Sequence, residues 1–245
     1  DLALYAPGLG YYSAGARKFG ADGDFVTAPE LSPAFGRCLA TQCADVLRAL
    51  GGGTVVEFGA GTGALAAELL GELGREGCMP ERYVIVDVSA DLRERQRERL
   101  AALPADSLAR VEWRDAPPAE PFRGVVVANE VLDALPVTRF RRTVDGVVEL
   151  GVEWVGDEPA DGRSGSGVRG EAGPDAVPFR AAPRPASADL RAAVDEIELA
   201  RGERLPAGYE SEVCLSLPAW LATATAPLAA GAALFVDYGE IGRAS

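Results

Sequence analysis

The chain has 245 residues, a hydrophobic content of 48% and a formal net charge of −13 at neutral pH. This length suits one large domain or one domain with an insertion, and the apolar content is enough for a sizeable core. So acidic a chain is a poor general ligand for phosphate backbones, which argues against nucleic acid; it suits a cationic substrate or partner, and equally well plain solubility.

The sequence contains no histidine, so histidine-based triads and histidine-ligated metals are excluded within these residues, and we predict no metal site. The four cysteines are scattered, as expected of small core residues in a reduced protein. No apolar run reaches the ~20 residues of a membrane span, and no signal peptide is visible. The chain begins at Asp1 without methionine and stops at Ser245, so both ends are predicted to be cut.

Along the chain, short apolar runs alternate with segments whose apolar residues recur at helical spacing. Residues 1–31 predict an ordered loop with a short helix at its start. Ser32 and Pro33 then mark a helix start, and apolar residues at helical spacing extend it to residue 50. Further predicted helices are 63–74, 90–103, 187–200 and 218–229; predicted strands are 54–58, 82–88, 110–114, 123–128 and 232–238.

Residues 137–186 interrupt this alternation. Their first part, 137–155, alternates apolar and polar residues around Asp145 and Gly146, which predicts a hairpin. Their second part, 157–186, is rich in glycine, proline and serine and predicts a flexible surface loop.

The pattern as a whole predicts an α/β fold. Strands that alternate with helices give a doubly wound, mostly parallel, Rossmann-like sheet with helices on both faces. We expect an amino-terminal lid or helical extension over 1–50 and a Rossmann-like domain over 51–245. That domain carries the hairpin and loop of 137–186 as an insertion.

A glycine-rich loop, VVEFGAGTGAL, joins the first predicted strand to its helix. Gly59, Gly61 and Gly63 allow a tight turn and a close approach of a ligand to the backbone. A dinucleotide-binding loop has a different glycine spacing, and a carboxylate at position 57 would repel a pyrophosphate. Glu57 instead suits the cationic end of S-adenosyl-L-methionine; a nicotinamide dinucleotide and a purely structural turn remain as alternatives.

Two further acidic residues follow neighbouring strands. Asp87 ends the second strand, where a carboxylate can bind both hydroxyls of a ribose. Asp115 follows the third strand and is a candidate contact near an adenine. Together with the glycine loop, these residues favour S-adenosyl-L-methionine as the cofactor.

The fourth strand delivers polar groups to the same edge. Asn129, Glu130 and Asp133 follow its apolar run directly, and ligands of doubly wound sheets lie at the carboxyl ends of strands. We expect these residues to orient and hold a cationic acceptor, since a guanidinium matches two carboxylates. Alternatively, Asn129 caps a short helix over 130–135, and Asp133 only forms a salt bridge with Arg139 or Arg141.

The segment 10–36 has an unusual density of aromatic, glycine and acidic residues for a loop. It is either a lid over the cofactor or a packed extension. As a lid, its predicted contacts are Gly20, Asp24, Phe25 and Thr27.

The chain resembles the MidA-like, or NDUFAF7-like, class I S-adenosylmethionine-dependent methyltransferases. The shared stretches are GYY…FGADGDFVTAPELSPAFG, VVEFGAGTG, YVIVDVSADLRERQ, VVVANEVLDALPVTRF and LFVDYGE. The resemblance implies that Glu57, the three glycines and Asp87 line the cofactor. It places Asn129, Glu130 and Asp133 near the acceptor. It also implies that further strands and a histidine-containing region normally follow, so the last strands are predicted to be missing here.

The resemblance implies methylation of a protein arginine. Mitochondrial members of the family are linked to the assembly of respiratory complex I through methylation of an arginine of one of its subunits. The expected compartment is the cytoplasm in a bacterium and the mitochondrial matrix in a eukaryote. Two alternatives stay open: a small-molecule methyltransferase with the same cofactor site, and a non-catalytic assembly factor that retains the fold.

Overall fold

The computed structural model describes residues 27–154 and 179–237, besides positions 4 and 6. The chain divides into two compact units, residues 1–136 with 216–245 and residues 137–215. The helices are α1 (Ala28–Leu31), α2 (Pro33–Leu50), α3 (Ala64–Arg75), α4 (Ala90–Leu100), α5 (Ala105–Leu108), α6 (Ala188–Arg201) and α7 (Leu217–Thr225). The strands are β1 (Thr54–Phe58), β2 (Arg82–Val86), β3 (Val111–Arg114), β4 (Phe122–Asn129), β5 (Thr138–Arg142), β6 (Val147–Trp154), β7 (Phe179–Pro185), β8 (Glu210–Val213) and β9 (Leu228–Val236).

The first unit is built on a five-stranded sheet in the order β3-β2-β1-β4-β9. Every neighbouring pair in this sheet is parallel. Its central strands are buried on both faces because helices cover both sides. The predicted doubly wound α/β fold is therefore confirmed.

Alternate residues of each strand supply two separate apolar cores. One core joins Val55, Ile85 and Val125 to the apolar faces of α2 and α3. The other core contains Val56 and Val126 on the opposite face, with α7 packed against it. Within the residues that the structure describes, no helix combines the length and apolarity that a membrane crossing requires.

The second unit is a four-stranded antiparallel sheet in the order β7-β6-β5-β8, with α6 packed against it. Its core is formed by Phe140, Leu190 and Val194. Beside that core, Arg142 and Glu198 form a buried ion pair at 2.9 Å. The predicted hairpin is present as β5 and β6, and both this unit and the predicted insertion begin at residue 137.

Two predicted boundaries near the end of the chain were wrong. The helix predicted over 218–229 ends at Thr225, and β9 begins at Leu228 instead of 232. After Leu228, the next residues of β9 are two alanines and a glycine, a composition that also suits the end of a helix. Gly231 is required by the close approach of the strands, because a Cβ there would lie 1.8 Å from the carbonyl oxygen of Gly124.

Two further regions have a different secondary structure from the one considered in the sequence analysis. Residues 179–185, predicted as part of a flexible loop, form β7 and pair with β6. Prolines are compatible with this strand because β7 lies at the sheet edge, where every second backbone N–H points away from the partner strand. The segment 130–135 is a turn and not the short helix weighed for Asn129.

Candidate functional site

The carboxyl ends of the parallel strands meet at one edge of the first unit. Phe58 at the end of β1 pairs with Val86 on one side and with Ala128 on the other. Val86 pairs in turn with Arg114 of β3. Because these ends are in register, the residues that follow each strand emerge side by side, as the sequence predicted.

The glycine loop has the backbone that its sequence requires. Gly59, Gly61 and Gly63 have φ values of 62°, 54° and 83°, in the left-handed region that favours glycine. A Cβ on Gly59 would lie 2.9 Å from the Val131 side chain, and one on Gly63 would lie 3.2 Å from Gln96 Cα. Among the described residues, nothing lies within 4 Å of the position that a Cβ on Gly61 would take, so these residues leave room for a ligand to approach the backbone there.

Asp87 follows β2 and is only 8% exposed. Its Oδ1 accepts a hydrogen bond from the Ser89 backbone N–H at 2.9 Å, and its Oδ2 accepts one from Gln96 Nε2 at 2.9 Å. Burial raises the pKa of Asp87, although these bonds and the nearby Arg93 charge oppose the shift. The carboxylate is thus held rigidly at the end of β2, beside the glycine loop.

Gln96 contacts the candidate site, and the sequence analysis gave it no role. Its side chain is fully buried and joins three elements. The amide nitrogen donates to the Gly61 carbonyl at 3.0 Å as well as to Asp87, and the amide oxygen accepts from Trp113 Nε1 at 3.0 Å. All the donors of this amide are therefore used to fix the glycine loop against the end of β2.

Glu57 lies deeper than the sequence suggested. It is 1% exposed, and its Oε2 accepts a hydrogen bond from the Tyr83 hydroxyl at 2.6 Å. Burial raises the pKa of Glu57 to about 7, although the Tyr83 bond lowers it; the Asp87 charge raises it further. The attraction between Glu57 and the cationic end of the cofactor stays a prediction.

The raised pKa of Glu57 predicts a pH-dependent stability. The folded protein holds this proton more tightly than the unfolded chain, so stability falls as the pH rises from about 4.5 to about 7. Glu57→Gln keeps an acceptor for Tyr83 and removes the titration. Over that window, we expect the free energy of unfolding of this variant to fall by up to ~3 kcal/mol less than that of the wild type. Urea unfolding at a series of pH values measures both declines.

An exposed carboxylate provides the control for this experiment. Glu94 lies on α4 with 68% of its side chain exposed, and Glu94→Gln should keep the wild-type decline. An unchanged decline in Glu57→Gln would mean that Glu57 is ionised in the folded protein throughout the window.

The end of β4 bends sharply. Glu130 has φ 51°, the one left-handed non-glycine residue in the part of the chain that the structure describes. Its N–H donates to the Val236 carbonyl at 2.8 Å, and its Oε1 accepts from the Ala28 N–H at 3.4 Å. Asn129, the last residue of β4, is half-buried and pairs with Val236 in the sheet.

Arg139 and Arg141, considered as alternative ion-pair partners of Asp133, both pair with Glu210. Asp133 itself is exposed. Its backbone N–H donates to Asp237 Oδ2 at 3.1 Å. The Leu132 N–H donates to the same oxygen at 3.1 Å. Asp237, which the sequence analysis gave no role, therefore shapes the turn that carries the candidate acceptor residues.

The remaining predicted cofactor contacts are Asp115, Thr27 and three residues of the amino-terminal segment. Asp115 follows β3 with 81% of its side chain exposed, and it forms an ion pair with Arg93. Thr27 precedes α1, and its carbonyl accepts from the Glu30 N–H at 2.9 Å. Gly20, Asp24 and Phe25 lie outside the described residues, so their lid contacts stay predictions. In the described ranges, no cluster of three or more acidic or cysteine residues is arranged to hold a metal ion.

The fold and the site define a class of protein. A parallel sheet in this order, with a glycine loop after β1 and a carboxylate after β2, is typical of proteins that bind a nucleoside-containing cofactor at the strand ends. Residues 38–245 match the family described as "Putative S-adenosyl-L-methionine-dependent methyltransferase". The chain belongs to this family.

Individual relatives agree with this assignment. A "likely methyl transferase" from Burkholderia thailandensis, solved with bound S-adenosyl-homocysteine, is 45% identical over 97% of this chain and superimposes with a TM-score of 0.78. Protein arginine methyltransferase NDUFAF7, mitochondrial, from Danio rerio is 31% identical over 64% of this chain. The human protein of the same name is 30% identical over 61% of this chain.

The chain is shorter than the proteins it matches. It spans 42% of the Danio rerio protein and 39% of the human one. It spans 56% of the Burkholderia thailandensis protein. The described residues nevertheless include the glycine loop, Asp87 and the turn after β4.

Proposed function

We propose that the protein is an S-adenosyl-L-methionine-dependent methyltransferase that methylates an arginine side chain of another protein. The observation that carries this proposal is the convergence of the glycine loop and Asp87 at adjacent strand ends. It occurs in a chain that is 45% identical to a protein with bound S-adenosyl-homocysteine. The choice of arginine is supported by the names of the curated relatives and by the acidic turn after β4.

The residues present fit this cofactor. Open space at Gly61 admits a ligand to the loop backbone, and Asp87 carries the carboxylate that a ribose needs. Glu57 and the negative charge around it favour a cationic ligand over a diphosphate. When bound, S-adenosyl-L-methionine supplies an electrophilic methyl group on a positively charged sulfur.

The chain contributes mainly alignment and charge to the transfer. The nucleophilic nitrogen has to approach the methyl carbon from the side opposite the sulfur, so holding the acceptor in line is a large part of catalysis. Asn129 and Glu130 at the end of β4, with Asp133 on the following turn, would orient the guanidinium. The carboxylates of Glu130 and Asp133 would also accept the proton that the nitrogen releases as it gains its methyl group.

The test is methyl transfer to a defined arginine. The protein is incubated with methyl-labelled S-adenosyl-L-methionine and cell lysate, and labelled products are hydrolysed and analysed for methylarginine. We expect Glu130→Gln to lower kcat by about 10- to 100-fold while its Kd for S-adenosyl-L-homocysteine stays near the wild-type value. Asp106→Asn, a change at an exposed carboxylate on α5, is the matched control and should leave kcat unchanged.

Each other outcome points to a different function. Label in a small molecule instead of protein would favour a small-molecule methyltransferase. Cofactor binding without any labelled product would favour an assembly factor that retains the fold. Unchanged turnover by Glu130→Gln would remove that residue from the mechanism.

The acceptor protein and the compartment are part of the same proposal. The curated relatives are named as mitochondrial proteins. By this analogy we propose a subunit of a respiratory complex as the acceptor, in the matrix of a eukaryote or the cytoplasm of a bacterium. Identification of the labelled protein in the lysate tests the acceptor directly.

A further inference from the structure

Glu30 connects the amino-terminal helix α1 to the glycine loop. Its Oε1 accepts a hydrogen bond from the Thr62 hydroxyl, and Thr62 lies between Gly61 and Gly63. The same carboxylate accepts from both Arg99 terminal nitrogens, at 2.9 and 3.3 Å. One side chain therefore joins α1, the loop and the last turn of α4.

This contact is well placed to act at neutral pH. The Glu30 side chain is 16% exposed. Partial burial raises the pKa of its carboxyl, but the hydrogen bonds from Thr62 and Arg99 and the Arg99 charge lower it below its ordinary value. Glu30 is therefore an ionised acceptor, which makes stronger hydrogen bonds than a neutral one.

A second contact ties α1 to the other half of the site. The Ala28 N–H donates to Glu130 Oε1 at 3.4 Å. Helix α1 thus contacts the glycine loop through one carboxylate and the turn after β4 through another. Its position affects both the cofactor side and the acceptor side of the strand-end edge.

We propose that Glu30 is a positioning residue that holds the glycine loop in its cofactor-binding shape by fixing Thr62 against α1 and α4. Without Glu30, the Thr62 hydroxyl loses its acceptor and the loop loses its link to Arg99. The loop then samples other conformations when no ligand is bound, and ordering it again weakens cofactor binding. This inference rests on the proposed function.

The chain offers a matched control in Glu76. This carboxylate also accepts from a threonine hydroxyl, that of Thr41 at 3.4 Å, and from an arginine, Arg48 at 2.5 Å. Its side chain is 23% exposed, close to the value for Glu30. Glu76 follows α3 at the end of the helix opposite the glycine loop. It therefore accepts the same kinds of hydrogen bond as Glu30 but does not contact the glycine loop.

The experiment measures the Kd of S-adenosyl-L-homocysteine by calorimetry for wild type, Glu30→Ala and Glu76→Ala, with thermal unfolding of each. We expect Glu30→Ala to raise Kd about tenfold, equal to ~1.4 kcal/mol, and Glu76→Ala to leave it unchanged. Adding Thr62→Val to Glu30→Ala should weaken binding little further, because the two groups act through one contact. Glu30→Gln supplies the same comparison if the alanine variant does not fold.

The outcomes separate the two proposals. Wild-type Kd in the Glu30 variants, or an equal loss in Glu76→Ala, overturns the positioning role and leaves the proposed function intact. Full additivity of Thr62→Val and Glu30→Ala also overturns it. Failure of the wild-type protein to bind S-adenosyl-L-homocysteine would overturn both.

Discussion

Asp87→Asn is expected to weaken the binding of S-adenosyl-L-homocysteine by about 10- to 100-fold. The carboxylate already accepts from the Ser89 N–H and the Gln96 amide, so both of its oxygens face donors. Asparagine has one acceptor oxygen, and its amide group would face one of those donors with another donor. The ribose would lose a charged acceptor, and the end of β2 would lose a bond that orients it. Calorimetric titration with S-adenosyl-L-homocysteine measures the effect.

A carboxylate on the same part of the chain provides the control. Asp91 lies on α4, is 63% exposed and pairs with Arg95 at 2.9 Å. Asp91→Asn should bind S-adenosyl-L-homocysteine as the wild type does. Equal affinity of Asp87→Asn and wild type, with both folded, would show that Asp87 does not contact the cofactor.

Gly124→Ala is expected to lower the free energy of unfolding by ~3–5 kcal/mol. Gly124 pairs with Thr54 in the centre of the sheet, at φ 148°. An added Cβ would lie 1.8 Å from the Thr54 carbonyl oxygen and 2.7 Å from its nitrogen. Both atoms belong to the backbone, so the methyl group forces β1 and β4 apart. Urea unfolding monitored by circular dichroism measures the loss.

Gly77→Ala is the control that distinguishes the steric clash of an added Cβ from the cost of a positive φ for alanine. Gly77 also has a positive φ, 62°, but no residue that the structure describes lies within 4 Å of the position its Cβ would take. We expect this control to lose only ~1 kcal/mol, the cost of a left-handed backbone for alanine. If the two variants lost the same amount, the close approach of β1 and β4 would not be the cause.

The sequence predicted the parts of the fold that depend on local pattern. The apolar run before the glycine loop gave the bounds of β1 as they stand, and Ser32 and Pro33 gave the start of α2. The local pattern gave wrong elements where small residues or prolines lie in a strand. Ala229 and Ala230 continue a helical pattern, yet they lie in β9.

The site was predictable to the extent that each residue follows a strand. Asp87 and Glu130 were predicted as candidates because ligands of parallel sheets lie at the strand ends, and the structure places each residue directly after a strand. Gln96 was missed because its neighbours on α4 are charged and predict an exposed face. In the fold, Trp113, Asp87 and the glycine loop all contact it. The Glu30 contact was missed for a similar reason, since its partners lie 32 and 69 residues further along the chain.

The carboxylate of Asp237 makes the geometry of an early segment depend on a late one. It accepts from the backbone of Leu132 and Asp133, more than 100 residues earlier in the chain. A shortened protein that ended at Val236 would keep all five strands of the parallel sheet yet release the turn that carries the candidate acceptor residues. Loss of methyl transfer after such trimming would then be attributed to the freed turn after β4 and not to the loss of a strand.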